Sequence, residues 1–547
     1  MFVTLISARS IPYLSAARMH RSLTRSMKWK SVAGSLFAQV TLLFAVGPVA
    51  AQEWSEVLVP APDGVSVGAA FGTSVSLEQD LLLVGAPMTD DGAPASGAAY
   101  LYDRYEGGEN AWGFVKKLSP PSPAAEANFG HRVHLTTDRA FVSAPGDLNL
   151  GVATGAIYVY DRDLGGAGNW GFRQKIVIDT LRSGLRFGST FLLSDSLLFV
   201  DCPGYDENPS DGSIGFGGLA AFRMDALGVF RPMRFVKGAD LAPDLANRPS
   251  LSGWLAVFHG ALVYTSKSRK AYTIPVEPFN SADATLAEPQ RLLLTDTFGL
   301  QSIYLYDFGV VANDEHLLMD VHHDDPSIPF QVVSFIGDGS GGVLQTGRMR
   351  PDTNALPIEW WGWGEALALY GDRVVVGAFG HAFFTPLGHA EVFDLDPNAF
   401  SGWSRVAYLS PSDPHYGDQF GRAASLSEEV VVIGAPGYGE LDKGQVYVFS
   451  DPNVGLEESP PLSNIPFAVG PNPVRRDQGM VQVILGDQGA TGMLLLHGID
   501  GRSVGTLRIT GRAIIDVHDL PPAAYLITWI PGDAGDATRS TRIVVLP

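Results

Sequence analysis

Hydrophobic and polar positions follow one order from Phe71: FGTSVSLEQDLLLVGAP, a polar loop, then GAAYLYDR ending at Arg104. The order returns at Phe129 (FGHRVHLTTDRAFVSAP, then GAIYVYDRD) and at Phe187 (FGSTFLLSDSLLFVDCPG, then GGLAAFRMD). It returns again at Trp363 (WGEALALYGDRVVVGAFG, then GHAEVFDLD) and at Phe420 (FGRAASLSEEVVVIGAPG, then GQVYVFSD). Phe129 and Phe187 each start 58 residues after the preceding unit, and Phe420 starts 57 after Trp363. The 176 residues from Phe187 to Trp363 span about three such periods, so two degraded units lie between. They are read at GWLAVFHGALVYTS from Gly253 and YDFGVVANDEHLLMDVHH from Tyr306, which makes seven units.

Each unit predicts four short strands. The FG strand ends at a tight polar turn, Glu78-Gln79-Asp80 in the first unit. The next strand, LLLVGAP, is apolar on both faces and belongs in the middle of its sheet. Gly85, Ala86 and Pro87 end it, because proline cannot donate to a ladder. AAYLYD is the third strand, and a Trp-bearing segment (from Trp112, Trp170 and Trp403) is the fourth. Seven four-stranded units predict an all-β, seven-bladed β-propeller. A further Trp-bearing segment, Trp54 to Pro60, precedes the first FG, and none follows the last unit. The N-terminal strand is therefore expected to complete the last blade and close the ring.

These units resemble FG-GAP repeats, the blade type of the integrin α-subunit propeller. The motif residues are Phe71, Gly72, Gly85, Ala86 and Pro87; Phe129 and Gly130; Phe187 and Gly188; Phe420, Gly421, Gly434, Ala435 and Pro436. The resemblance covers Gln52 to Asp451. Many blades of that family carry an Asp/Asn-rich calcium loop between the FG and GAP strands. Only short turns stand there in this chain, and calcium needs six to eight oxygens, so calcium is not expected in the blades and no cofactor is predicted.

The flanks have other compositions. Residues 1–51 hold six basic residues, no acidic one, an apolar run from Val32 to Val46 and small residues before Gln52. This reads as a signal peptide cleaved between Ala51 and Gln52; Met27 heads a more ordinary one than Met1, so the first residues read as an upstream mis-start. Residues 452–464 (PNVGLEESPPLSN) read as a linker. Residues 465–547 alternate short strands with turns and predict a small Ig-like β-sandwich. They resemble the C-terminal sorting domain of the type IX secretion system of Bacteroidetes-like Gram-negative bacteria. The match lies at Pro471, Asn472 and Pro473, at Asp500 and Gly501, at Asp519 to Leu526 including Tyr525, and at the terminal Arg542 to Val545; Ala524 stands where that family usually has glycine. The resemblance implies the secretion machinery as a partner and the cell surface or medium as destination.

Charge narrows the partners. The chain carries 38 basic and 58 acidic residues, net −20, which repels nucleic acid and anionic membranes. After the signal peptide, no stretch is long and apolar enough to span a bilayer. A single cysteine, Cys202, stands at a GAP position where a buried strand end is expected, and it excludes an internal disulfide.

Candidate chemistry is sparse. His322, His323, Asp324 and Asp325 form the densest ligand-like cluster, but adjacent strand residues face opposite ways and would not converge on a metal. Carboxylates follow the GAP motifs at Asp90, Asp91, Asp147, Asp206, Glu207, Asp211 and Asp442, with no nucleophile in attendance. The glycine-rich patch from Gly212 to Gly218 precedes no helix and is no phosphate loop. No catalytic residues are assigned. The leading expectation is a secreted or surface-exposed binding or adhesion propeller for an extracellular protein or glycan. The alternatives are a polysaccharide hydrolase or lyase and a purely structural surface protein.

Overall fold

The computed structural model describes residues 54–451 apart from 181, 207–216, 242–250, 267–269, 282–284, 293–302, 305–308, 324–329, 338–342, 352–361, 380–387, 397–398, 400, 416 and 438–442. Beyond 451 it describes 467–470, 474–475, 480–485, 491–498, 503–510, 512–516, 520–521, 523–531 and 539–546. Ala51, Gln52, Asp324, Pro471, Asn472, Pro473, Asp500 and Gly501, and the whole linker, lie outside the described residues.

The described residues form an all-β, propeller-like series of seven antiparallel sheets. Blade 1 runs Ser74–Glu78, Leu81–Ala86, Ala98–Asp103 and Gly113–Leu118; blade 2 runs Val133–Leu135, Arg139–Ala144, Ala156–Asp161 and Gly171–Ile176. Blade 3 runs Phe191–Ser194, Leu197–Asp201, Gly218–Met224 and Phe230–Lys237. The two degraded units form sheets as well: blade 4 starts with Leu251–Phe258 and Ala261–Ser266, and blade 5 with Val310–Ala312 and Leu317–His323. Blade 5 carries a fifth strand, Ile303–Tyr304. Blade 6 begins with Trp363–Tyr370 and Arg373–Ala378.

Blade 7 holds Ala423–Leu426, Val430–Ala435 and Gln445–Ser450, and its fourth strand is Ser55–Val59 from the N-terminus. The register runs from Ser55 opposite Ser450 to Val59 opposite Val446. Val59 is fully buried in the cluster that joins Val446 and Val448 to Phe71, Leu82 and Tyr100.

The motif residues earn their places by packing. The FG phenylalanines Phe71, Phe129, Phe187 and Phe420 are fully buried. Each meets an aromatic ring of its own blade edge-on, as Phe129 meets Tyr158 at 5.2 Å and Phe420 meets Tyr447 at 5.2 Å. Gly130 is in the left-handed region (φ 95°), and a Cβ there would stand 2.4 Å from the Ala98 carbonyl of blade 1. A Cβ on Gly85 would in turn stand 2.0 Å from the Gly130 carbonyl. The FG glycine of one blade thus rests on the GAP glycine of the blade before it. The same contact joins blade 7 to blade 1, where Gly434 meets the Gly72 carbonyl. Trp112, Trp170 and Trp403 are buried, which makes them core residues.

Pairing also orients the blades. Ser74 lies opposite Gly85, while Glu78 lies opposite Leu81. The FG start and the GAP end of a blade therefore share one face of the molecule, and the two-residue turns share the other. The first strand of blade 1 lies beside the first strands of blades 2 and 7, and the same holds between blades 3 and 4, 4 and 5, 5 and 6, and 6 and 7.

The described C-terminal strands are all connected by pairing. They form one eight-stranded path with Phe467–Gly470 and Val474–Arg475 at its ends. Among the described residues, Thr510 and Arg512 are the pair that joins Ser503–Thr510 to Arg512–Asp516. Tyr525 is buried, and its hydroxyl donates to the Pro521 carbonyl at 2.7 Å.

Candidate functional site

The FG/GAP face gathers ionisable side chains at the axis. The residue after the FG glycine is Thr73, His131, Ser189, Glu365 or Arg422, according to the blade. Each stands at or near the start of its blade's first strand, so the repeat gives this position equivalent places in the other blades. Arg132 follows His131, and Arg186 precedes Phe187 in a left-handed conformation (φ 55°) shared by Ala70, Asn128 and Gln419.

Arg132 crosses from blade 2 to blade 4, where its guanidinium carbon lies 4.8 Å from the centroid of the Trp254 ring. It is half-buried and donates no hydrogen bond from its guanidinium to any described residue. Arg186 is exposed and is likewise without a side-chain partner among the described residues. Arg422 pairs with Glu365 and lies 4.6 Å over the Phe379 ring.

Asp201 stands where other blades have the GAP glycine. Its Oδ1 accepts the Thr190 amide at 2.6 Å, while Oδ2 is buried with no hydrogen-bond partner. Burial pushes this carboxyl up to about 7, against the pull of Arg132 and Arg186. Burial also pushes the Arg132 guanidinium down to about 10, helped by Arg422. His131 is driven down to about 3 by burial and by Arg132, Arg186 and Arg422, so it is neutral at physiological pH. His134, one strand position inward from Val133, is held neutral by burial alone, at about 4. Three arginines, the neutral His131 and two carboxylates, Asp201 and Glu365, therefore influence one another at one end of the axis. Groups shifted by one another and by a common environment mark a candidate functional site.

The sequence-predicted candidates are placed elsewhere or already engaged. His322 and His323 are the last two residues of a strand, opposite Tyr304 and Ile303. The extra strand Ile303–Tyr304 supplies their pairing. Three of the post-GAP carboxylates are used structurally, and Glu207, Asp211 and Asp442 lie outside the described residues. Asp90 caps the Ala95 amide at 2.8 Å, and Asp91 holds Lys117 at 2.7 Å. Asp147 is buried against Lys175 at 2.9 Å. Cys202 is fully buried, and burial raises its thiol well above the ordinary value.

The opposite face holds one group of three metal-capable residues among the described residues, Glu315, His316 and Asp372. They belong to consecutive turns of blades 5 and 6. Asp372, Arg373 and Glu428 also line a neighbouring cleft of about 580 Å³. His316 Nε2 lies 3.0 Å from Asp372 Oδ1, and its buried Nδ1 has no partner. A cation on Nε2 would leave an Nδ1–H with no acceptor, and metal-bound histidines regularly have one. The geometry fits a polar bridge between blades better than a metal centre. Another buried network, Glu391 with Arg405 at 3.1 Å, His389 at 3.3 Å and the Trp363 indole at 3.2 Å, is a closed structural set in blade 6.

Comparison with known proteins agrees with the repeat reading. The FG-GAP repeat family model matches residues 54–102, 112–160 and 403–449. No curated protein sequence matches the chain. Among solved structures, a fungal alcohol oxidase of the AA5 family in complex with copper is 13% identical, with a TM-score of 0.44 over 90% of this chain and 100% of that one. The β-propeller domain of Myceliophteria thermophila Cps50 (Swd1) is 10% identical, with a TM-score of 0.42 over 73% of this chain and 100% of that one. BamB from Moraxella catarrhalis is 10% identical, with a TM-score of 0.34 over 70% and 83%. The chain thus carries FG-GAP-repeat-like segments on a β-propeller-like fold.

Proposed function

We propose that this chain is a secreted, non-enzymatic binding protein that takes its ligand at the axis of the FG/GAP face. The carrying observation is the convergence there of Arg132, Arg186 and Arg422 from blades 2, 3 and 7, two of them with no acceptor among the described residues. In this reading the N-terminal strand closes the ring and gives it rigidity. The C-terminal strands fold as a two-layered sandwich, supported by the Tyr525 hydroxyl reaching back to Pro521, a corner contact typical of such folds. That module serves as the address for type IX export, and the cargo reaches the cell surface or medium. Intact mass and cell fraction of the native protein test the route: a mature start near Gln52 without residues 465–547, outside the cell, supports it, and an uncleaved periplasmic chain overturns it.

A second reading, an extracellular polysaccharide hydrolase or lyase, has one observation in its favour. A neutral His131 and a carboxyl of raised pKa, Asp201, share the arginine-rich mouth. Immobilised full-length chain exposed to a panel of glycans and peptides, with reducing ends and ultraviolet absorbance followed in parallel, separates the two. Saturable binding without turnover supports the binding protein. Turnover lost in His131→Ala supports the enzyme.

A further inference from the structure

The three axial arginines are unusual for this chain. Its net charge of −20 pushes anions away at long range, yet its axis concentrates guanidinium groups. Several arginines on other blades are held in ion pairs. Arg373 holds Asp394 and Asp451 at 2.7 Å each, and Arg104 holds Glu429 at 2.8 Å. Arg405 holds Glu391. The Arg132 guanidinium carbon lies 4.8 Å from the Trp254 ring centroid, and neither Arg132 nor Arg186 donates a side-chain hydrogen bond to any described residue. A guanidinium presents a planar fork of donors that fits a two-oxygen acceptor.

We propose that the axial mouth binds one oxyanion, a carboxylate or phosphate carried on an otherwise uncharged ligand such as a uronic-acid sugar, with Arg132 and Arg186 as donors and Arg422 adding positive potential. This deepens, and rests on, the axial binding reading above. A single charge is specified because the acidic body of the protein repels a polyanion while three arginines attract one anionic group locally. Glu365 offsets Arg422, which leaves Arg132 and Arg186 as the free pair. Asp201 opposes the anion while ionised and ceases to do so when protonated.

Isothermal titration calorimetry of the full chain tests this, with D-glucuronate and inorganic phosphate as probes and D-glucose as the neutral control. The expected result is one anion per chain, bound more weakly as salt rises, and about tenfold weaker in Arg186→Gln, the exposed variant with no protein contact to lose. Arg132→Lys keeps the charge without the fork and should fall between wild type and Arg132→Gln. Tighter binding of phosphate than glucuronate supports the oxyanion and names phosphate as its source. Neutral glucose bound equally well in wild type and Arg186→Gln, with neither anion bound, overturns the oxyanion but leaves the axial reading standing. Glucuronate bound with wild-type affinity in both Arg186→Gln and Arg132→Gln overturns the oxyanion and the axial reading together.

Discussion

Arg132 lies across the indole of Trp254, 4.8 Å from guanidinium carbon to ring centroid, and so links blade 2 to blade 4 over the axis. Cation–π pairs of this kind contribute about 0.5–2 kcal/mol, more as water is excluded. Trp254→Leu should therefore lower stability by about 1 kcal/mol and release the Arg132 side chain. Denaturant melts measure the first effect. A several-fold loss of anion affinity, with the salt dependence unchanged, reports the second.

Asp201 gives a pH dependence with a definite sign. Its folded-state pKa, about 7, lies above the ordinary carboxyl value of 3.8, so the folded chain binds the proton more tightly than the unfolded chain does. The penalty is absent below pH 3.8, grows through the window up to about 7 and is complete above it. It reaches the order of a few kcal/mol. Thr190 can still donate to an amide oxygen, so Asp201→Asn should fold. The melting temperature of Asp201→Asn minus that of wild type should rise from pH 4 to pH 7 and then level off. Taking this difference removes the opposing contribution of His131 and His134, whose lowered values destabilise the fold as pH falls below 6.5. A flat difference would contradict the assignment.

The glycine contacts between blades predict a contrast. Gly130→Ala places a Cβ 2.4 Å from the Ala98 carbonyl at a backbone φ of 95° and should cost more than about 2 kcal/mol. Gly151 has a similar φ of 82° but open space around it, so Gly151→Ala should cost only about 1 kcal/mol. Chemical denaturation of the two variants checks the difference.

Deleting residues 52–60 removes the outer strand of blade 7 and the fully buried Val59. The exposed edge of Gln445–Ser450 and the lost core contacts should cost several kcal/mol and promote association of the chain through the open edge. Melting and light scattering of the deleted chain read both. An unchanged melting temperature would remove the N-terminal strand from any role in holding the ring.

The blades were legible because their signals are local. Phenylalanine, glycine and proline recur at fixed spacing, and each answers a packing demand within its own unit or the adjacent one. The two degraded units were found by period rather than by motif. The axial site was hidden because its members come from separate units and only the fold brings them together. One signal was available: aligning the repeats places His131, Glu365 and Arg422 at one position, directly after the FG glycine, beside Thr73 and Ser189. The pairing of His316 with Asp372 was hidden in a similar way, since the two lie 56 residues apart, one repeat period, in neighbouring turns. Asp201 could be seen in the sequence as the replacement of a glycine, but its missing partner and its shifted pKa come from burial alone.

Hydrogen-exchange mass spectrometry of the full chain, with and without saturating glucuronate, tests the central claim most directly. Axial binding predicts added protection in the segments around 128–135, 186–190 and 420–423, from three different blades, and its loss in Arg186→Gln. Protection confined to the turns around Glu315 and Asp372, or to the C-terminal strands, would contradict it.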